Sequence, residues 1–492
     1  MTETAKKKRG MPSSFTILLA LLAIVAVITV IVSGTSGGAV TAARLSDFCT
    51  APIKGFADAL PVCLFVMILG GFLGMMTETG ALDNGIAVLV QKLKGNEIML
   101  IPVLMLIFSL GGTTYGMCEE TVPFYALLAA TMMAAGFDPM VGAATVLLGA
   151  GCGCLGSTVN PFAVGAAVDA LTGVDIAVNQ SIIIGLGAVL WIVTTAMSIV
   201  FVMNYAKKVK ADKGSTILSM QELKDAEEAH GKAASEVHKE VKLTGRQKGV
   251  LIAFAFTFVV MIVGFIPLAD LNEGVANFFD AGAVYDADGN AVVQGWSALI
   301  TGLPIGQWYF DEASTWFFLM AILIGIIGGL SEKQIVNTFI TGAADMMSVV
   351  LVIALARGIS VLMANTGLDV FVLDAAANAL AGLSGVIFAP MSFLVYFGLS
   401  FLIPSTSGMA TVSMPIMGPL AVKLGFSPEV MVMIFSAAIG VVNLFTPTSG
   451  AIMGGLALAK IEWTTWLKFA LKLIVALSVV CAVILTVACV LL

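Results

Sequence analysis

The chain of 492 residues is 59% hydrophobic and only 11% charged, with a mean hydropathy of +1.03. A soluble domain needs roughly a quarter of its residues charged to solvate its surface, so this composition excludes one and describes a polytopic membrane protein. The net charge of −7 says little about partners, because almost all the charge sits in loops, and no nucleic-acid partner is expected.

The first apolar run, Phe15 to Val32, follows a basic flank of Lys6, Lys7, Lys8 and Arg9 and ends without a cleavage pattern. It reads as a retained helix with the N-terminus in the cytoplasm. A spanning helix over 56–78 and a short interfacial helix over 80–94 follow. Two apolar segments over 97–136 are then hinged at "GGTTYG" (Gly111 to Gly116), and the next helix breaks at "GSTVNPF" (Gly156 to Phe162). After a last span, hydrophobicity collapses over 206–248, where ten Lys/Arg and seven Asp/Glu mark a cytoplasmic linker, helical around "SMQELKDAEEAHGKAASEVHKEV". Spans over 249–270 and 314–330 flank a loop that carries only acidic charge, including Asp270, Glu273, Asp280, Asp311 and Glu312, and so faces outward. The order then recurs: a span over 347–364, an interfacial segment over 368–382, and two segments over 384–424 hinged at "PSTSG" (Pro404 to Gly408). A break at "NLFTPTSG" (Asn443 to Gly450) and a last span complete it.

Six short matches support a duplication. "GFAD" at Gly55 pairs with "GAAD" at Gly342, Gly71 with Gly358, and "ETG" at Glu78 with "NTG" at Asn365. "GMCEETVPF" at Gly116 pairs with "GMATVSMPI" at Gly408, "GFDP" at Gly136 with "GFSP" at Gly425, and Pro161 with Pro447. Their offsets drift only between 286 and 292. The units are 54–205 and 341–492, with 1–53 as the N-terminal tail and first helix and 249–340 as two scaffold helices with the outer loop. If each hinge is the tip of a re-entrant hairpin, unit one runs from outside to inside and unit two from inside to outside, so the units are inverted and the C-terminus is external. The fold class is therefore all-α and polytopic, with inverted repeats, two re-entrant hairpins and two broken helices.

Broken backbone is tolerated at membrane depth only where it lines a cavity, and there its free N–H and C=O groups become ligands. The four breaks are the candidate site walls. Ser, Thr and Asn oxygens with freed carbonyls suit Na+, while half-helix N-termini and hydroxyls suit a carboxylate. The plain alternative is that these residues only form turns or ease packing; two symmetric pairs of polar breaks favour the site. Glu119 and Glu120 follow the first hinge, opposite Thr411 and Val412 in the second unit. An unpaired acid at mid-bilayer costs about 2.5 kcal/mol or more. The pair could bind a substrate cation, carry a coupling proton or ligate Na+, or simply hydrogen-bond free N–H groups. Adjacent helical residues point about 100° apart, so one of the two at most is expected to face the site squarely. Arg357, mid-span in "LVIALARGISVLM", could bind a substrate carboxylate, as a C4-dicarboxylate carrier would require, but reads more readily as paired with Asp345, Glu78 or free carbonyls. Asp58 and Asp345 read as caps at helix starts.

The two histidines, His230 and His238, both fall in the linker. No Walker loop and no His/Cys metal cluster is present, so neither an enzyme nor ATP-driven transport is expected, and no cofactor is called for. The seven cysteines read as small core residues. A channel is the rival from another class.

The motifs "GTTYGMCEETVPFY", "GSTVNPFAVG", "ALARGIS", "SFLIPSTSGMATVSMPIMGPLA" and "NLFTPTSGAIMGGLALA" resemble the C4-dicarboxylate anaerobic carrier (DcuC-like) family, especially its YfcC-like branch named for basic amino-acid antiport. The resemblance covers nearly the whole chain outside 206–248. It implies membership of the ion-transporter superfamily, with an elevator-type transport domain, a dimerising scaffold and residence in the bacterial inner membrane. It implies Thr113, Thr114, Gly116, Ser405, Thr406, Ser407 and Gly408 at hairpin tips, and Ser157, Asn160, Asn443, Thr446, Thr448 and Ser449 at the helix breaks. The expected activity is secondary transport of a carboxylated metabolite, an amino acid such as arginine or ornithine or else a C4-dicarboxylate, coupled to Na+ or H+ or run by exchange.

Overall fold

The computed structural model describes residues 14–82, 84, 85, 88, 96–236, 242–266, 268–271, 273–286, 291–403 and 405–492. The basic N-terminal flank, most of the expected interfacial helix over 80–94, His238 and Pro404 lie outside the described residues. The protein is mostly helical, and nine of the described helices are long and apolar enough to cross a bilayer.

The first apolar run forms the helix Ser14–Ser33. The helix expected over 56–78 instead begins at Leu60 and runs to Glu78, after a separate helix Leu45–Asp58. The helices are divided at Ala59, and the second restarts with Pro61, whose missing N–H is harmless in a first turn. The counterpart is Glu332–Asp345 followed by Met347–Thr366, divided at Met346. Asp58 and Asp345 are thus the last residues of helices, not caps at helix starts, because the chain breaks just after each of them.

Two further pairs of helices meet at irregular tips: Leu100–Tyr115 with Val122–Ala134, and Gly385–Leu402 with Thr406–Lys423. Two more are interrupted. Pro139–Leu155 is followed by the irregular stretch 156–160, a five-residue π-helical turn Pro161–Gly165 and the helix Ala166–Thr172. Pro428–Val442 is followed by 443–449 and the helix Gly450–Leu458. Pro139–Leu155 and Pro428–Val442 are apolar on every face and almost wholly buried, as helices surrounded by protein must be.

Contacts divide most of the helices into two groups. In one, Leu60–Glu78 packs on Phe310–Gly328 and Glu332–Asp345, Gly245–Phe265 packs on Phe310–Gly328, and Leu45–Asp58 packs on Met347–Thr366. Interlocked rings of Phe65, Phe72, Phe254, Phe258 and Phe317 fill its centre. The other group gathers both tip-forming pairs around Pro139–Leu155 and Pro428–Val442, with the long helices Gln180–Ala211 and Trp463–Leu491 outside them. The linker contributes Met220–Glu236, which packs on Val122–Ala134. The acidic loop before Phe310 holds two short helices and a two-stranded antiparallel hairpin, Val284–Tyr285 with Ala291–Val293, which the hydropathy pattern does not announce.

Candidate functional site

Each break must satisfy the backbone groups it frees. At the first interrupted helix this is done by Thr113, whose Oγ1 donates to Gly156 O at 2.7 Å. Its carbonyl accepts from Thr158 N at 2.9 Å and from Thr158 Oγ1 at 3.0 Å. Asn160 closes the same break: its Nδ2 donates to Ser157 Oγ at 2.9 Å, and its Oδ1 accepts from Phe162 N at 2.9 Å and Ala163 N at 3.3 Å. Two tryptophans do the equivalent at the second, where Trp466 Nε1 donates to Leu444 O at 2.9 Å and Trp463 Nε1 to Phe445 O at 2.6 Å. These fastenings hold irregular backbone in one conformation next to a cavity.

That cavity, of about 190 Å³, lies between the two helix groups. The tip of the first helix pair forms one wall. Gly116 adopts φ 79°, and a Cβ there would lie 2.6 Å from Asn160 Oδ1, so both backbone and space require glycine. Glu119 and Glu120 follow in a single 3-10 turn, Glu119–Thr121. Both line the cavity, and they sit on an irregular tip rather than on a regular α-helix, so the 100° separation of helical neighbours does not govern them. They differ in setting. Glu120 is 1% exposed and one carboxylate oxygen accepts from Cys118 N at 3.0 Å. Glu119 is less buried and lies within electrostatic reach of Arg357.

The opposite tip contributes Ser405, Thr406 and Ser407, and the second break contributes Asn443, Thr448, Ser449 and Gly450. Ser449 makes no side-chain cap to the helix Gly450–Leu458, which leaves N–H groups at that helix start free. Asn443 Oδ1 is buried without a hydrogen-bond partner. Gly116 and Asn160 also line the cavity.

Five residues expected at the site lie off the cavity. Thr113 fastens the first break, Thr114 Oγ1 returns to Leu110 O at 2.7 Å, and Ser157 Oγ donates to Cys154 O at 2.6 Å. Gly408 N donates to Ser405 Oγ at 3.1 Å, and Thr446 lies behind the cavity-lining Thr448, with which it shares a hydroxyl hydrogen bond of 2.7 Å.

Arg357 does line the cavity, and its partner is none of those expected: its guanidinium forms an ion pair with Asp58, Nε lying 2.6 Å from Oδ2. Asp345 is exposed at the end of the other helix. Sequence reasoning also missed that Cys118 and Cys154 line the cavity and that Cys49 is exposed. It missed Phe162 and Phe310, whose rings stack at 5.3 Å and form an apolar wall shared by the two groups. Phe162 stood inside a quoted motif, but Phe310 carried no signal at all. Among the described residues, no cluster of three His, Cys, Asp or Glu side chains is placed to hold a metal.

A sequence model of the C4-dicarboxylate anaerobic carrier (DcuC) family matches residues 40–490. An uncharacterised protein of Haemophilus influenzae is 28% identical over 445 residues, covering 90% of this chain and 78% of that protein. A protein of Escherichia coli K12, provisionally named the basic amino acid antiporter YfcC, is 27% identical over 440 residues, covering 87% and 77%. Among solved structures, Neisseria gonorrhoeae MtrF, described with a class of antimetabolite efflux pumps, is 17% identical with a TM-score of 0.44, covering 98% of this chain and 96% of that one. The Alcanivorax borkumensis YdaH transporter is 16% identical with a TM-score of 0.45, covering 97% and 98%.

Proposed function

The chain belongs to the C4-dicarboxylate anaerobic carrier (DcuC) family, and from that premise we propose that it carries a small metabolite bearing both a carboxylate and a cationic group, most simply a basic amino acid such as arginine or ornithine. It is a membrane transporter and not an enzyme. The observation that carries the substrate reading is the mixed charge of the cavity: Glu119 and Glu120 at one tip, Arg357 on the facing group. A substrate ammonium or guanidinium would sit against the glutamates. Its carboxylate would meet the terminal amines of Arg357 and the free N–H groups at the start of Gly450–Leu458. The name given to the Escherichia coli relative supports the same class.

The partnerless Asn443 Oδ1 offers an acceptor to Na+ or to a substrate cation, and the glutamates offer a site for a coupling proton. Transport would be ion-coupled or run by exchange. The recurrence of element boundaries supports inverted repeats: Leu45–Asp58 and Leu60–Glu78 are answered by Glu332–Asp345 and Met347–Thr366, and each tip-forming pair and interrupted helix has its counterpart. On this reading the tip-forming pairs are re-entrant hairpins, and their group travels past the other as an elevator. A homodimer built on the scaffold group, an inner-membrane location, a cytoplasmic N-terminus and an external C-terminus complete the proposal.

Charge-assisted hydrogen bonds to ligands contribute about 1.5–3 kcal/mol. Glu119→Gln and Glu120→Gln should therefore each lower arginine uptake efficiency in proteoliposomes by about tenfold or more. If both variants transport arginine as the wild type does, the cationic-ligand role is wrong. A second reading, a C4-dicarboxylate carrier, is favoured by the position of Arg357 in the cavity; it requires Arg357→Gln to abolish dicarboxylate uptake while the glutamate variants leave it intact.

A further inference from the structure

We propose that Asp58, which does not itself line the cavity, sets the net charge of the substrate accepted there by holding Arg357. The inference rests on reading the cavity as the substrate site, and it names a residue that the sequence assigned only to helix capping.

Leu45–Asp58 crosses Met347–Thr366 at the closest approach its backbone allows. A Cβ on Gly55 would lie 2.3 Å from Gly358 N, so the two chains touch without intervening side chains. One turn further on, Asp58 ends its helix and meets Arg357, the neighbour of Gly358. The ion pair brings Nε to 2.6 Å from Asp58 Oδ2, and a guanidinium carries five N–H donors in a fixed fork, more than one carboxylate can engage. The helix then breaks at Ala59, which does line the cavity, so Asp58 stands just behind the wall.

The consequence is electrostatic. An arginine alone in a cavity with hydroxyls and N–H groups would favour a dianion. Here one guanidinium is paired with the Asp58 carboxylate and shares the cavity with those of Glu119 and Glu120. A dicarboxylate would add two anions to that set, whereas a basic amino acid adds two cations and one anion. Asp58 thus orients the fork towards one carboxylate and cancels the surplus charge that would reward a second. It is a positioning residue. The Asp58 side chain is 50% exposed and that of Arg357 27%, so solvent weakens the coupling, and the expected effect is about two- to fivefold rather than larger.

The test measures KM and kcat for arginine and for succinate in proteoliposomes of wild type, Asp58→Asn and Asp58→Glu. Ligand-induced thermal shifts are read for the same pairs. Asn keeps the size and polarity of the side chain while removing the charge; Asp58→Ser serves if Asn does not fold. Asp58→Asn should raise KM for arginine and lower it for succinate, about two- to fivefold each, with kcat nearly unchanged, and Asp58→Glu should restore the wild-type ratio. An arginine-to-succinate ratio equal in wild type and Asp58→Asn overturns the proposal, since a merely structural role would move both substrates together. A wild type that takes succinate and not arginine overturns the preceding functional reading instead. The Asp58 claim is then judged on succinate alone, whose KM must still fall in Asp58→Asn.

Discussion

Thr113 and Arg357 show how the same kinds of polar residue divide between holding the site and facing it. Thr113 was expected at a ligand, yet it spends its hydroxyl and its carbonyl on the neighbouring break. Thr113→Val should leave the Gly156 carbonyl without that donor, at about 1–3 kcal/mol, read as a lowered apparent unfolding temperature of the detergent-solubilised protein with or without ligand. A variant as stable as wild type would contradict the fastening role. The residue types at the breaks were legible because Gly, Pro, Ser and Thr clusters inside apolar runs have few other uses. Their division of labour was not, since it depends on which oxygen reaches which freed N–H across the tip. The pairing of Arg357 with Asp58 was hidden for a related reason: the partners lie far apart in sequence and meet only because Gly55 and Gly358 let two helices touch.

Among the elements, the linker departs furthest from its sequence. Its charge reads as a solvated helix, and hydropathy gives no reason for it to dock. Yet Glu222 is 4% exposed and accepts from Glu462 N at 3.0 Å, at the start of Trp463–Leu491. His230 is 8% exposed, and its Nε2 lies 3.1 Å from Leu458 O at the end of the second interrupted helix. Thr216, just before the linker helix, donates to Asp138 Oδ2 at 2.7 Å beside Tyr205, at 2.6 Å. The linker is thereby tied to both halves of the group that holds the tips. Burial, with Lys460 nearby, holds the His230 pKa below its ordinary value of 6.5. The unfolded linker therefore binds the proton more readily, so the docking stability His230 gives is full above that ordinary value and is lost as the pH falls below it. Protease cleavage of the linker should accelerate as the pH is lowered through that range, and His230→Asn should flatten the dependence. Cleavage that is independent of pH in the wild type would contradict it. The helix order itself was largely legible, because each apolar run is long and each break is marked. The division at Ala59, which leaves Asp58 at a helix end, was missed because Leu45–Asp58 carries Pro52 and mixed polarity, and its pattern merges into the span that follows.

For the whole molecule, the cavity lies between two groups of helices that share few elements, and the stacked pair Phe162 and Phe310 joins them. If one group moves past the other, that contact must break in each cycle. In a background lacking the cavity thiols Cys118 and Cys154, cysteines at positions 162 and 310 joined by a short bifunctional reagent should arrest transport, and cleavage of the reagent should restore it. Uptake that continues at the wild-type rate in the crosslinked protein would refute relative motion at this contact. Transport class was legible from composition and the paired breaks, whereas the charge set of the cavity was not, because Arg357 meets Asp58 and the cavity of Glu119 and Glu120 only through tertiary packing. The most direct measurement is counterflow: labelled arginine entering proteoliposomes preloaded with unlabelled arginine or ornithine. Label should accumulate transiently above equilibrium, and this overshoot should be lost in Glu119→Gln and Glu120→Gln. The absence of any overshoot with cationic amino acids, alongside a clear overshoot with a C4-dicarboxylate, would contradict it.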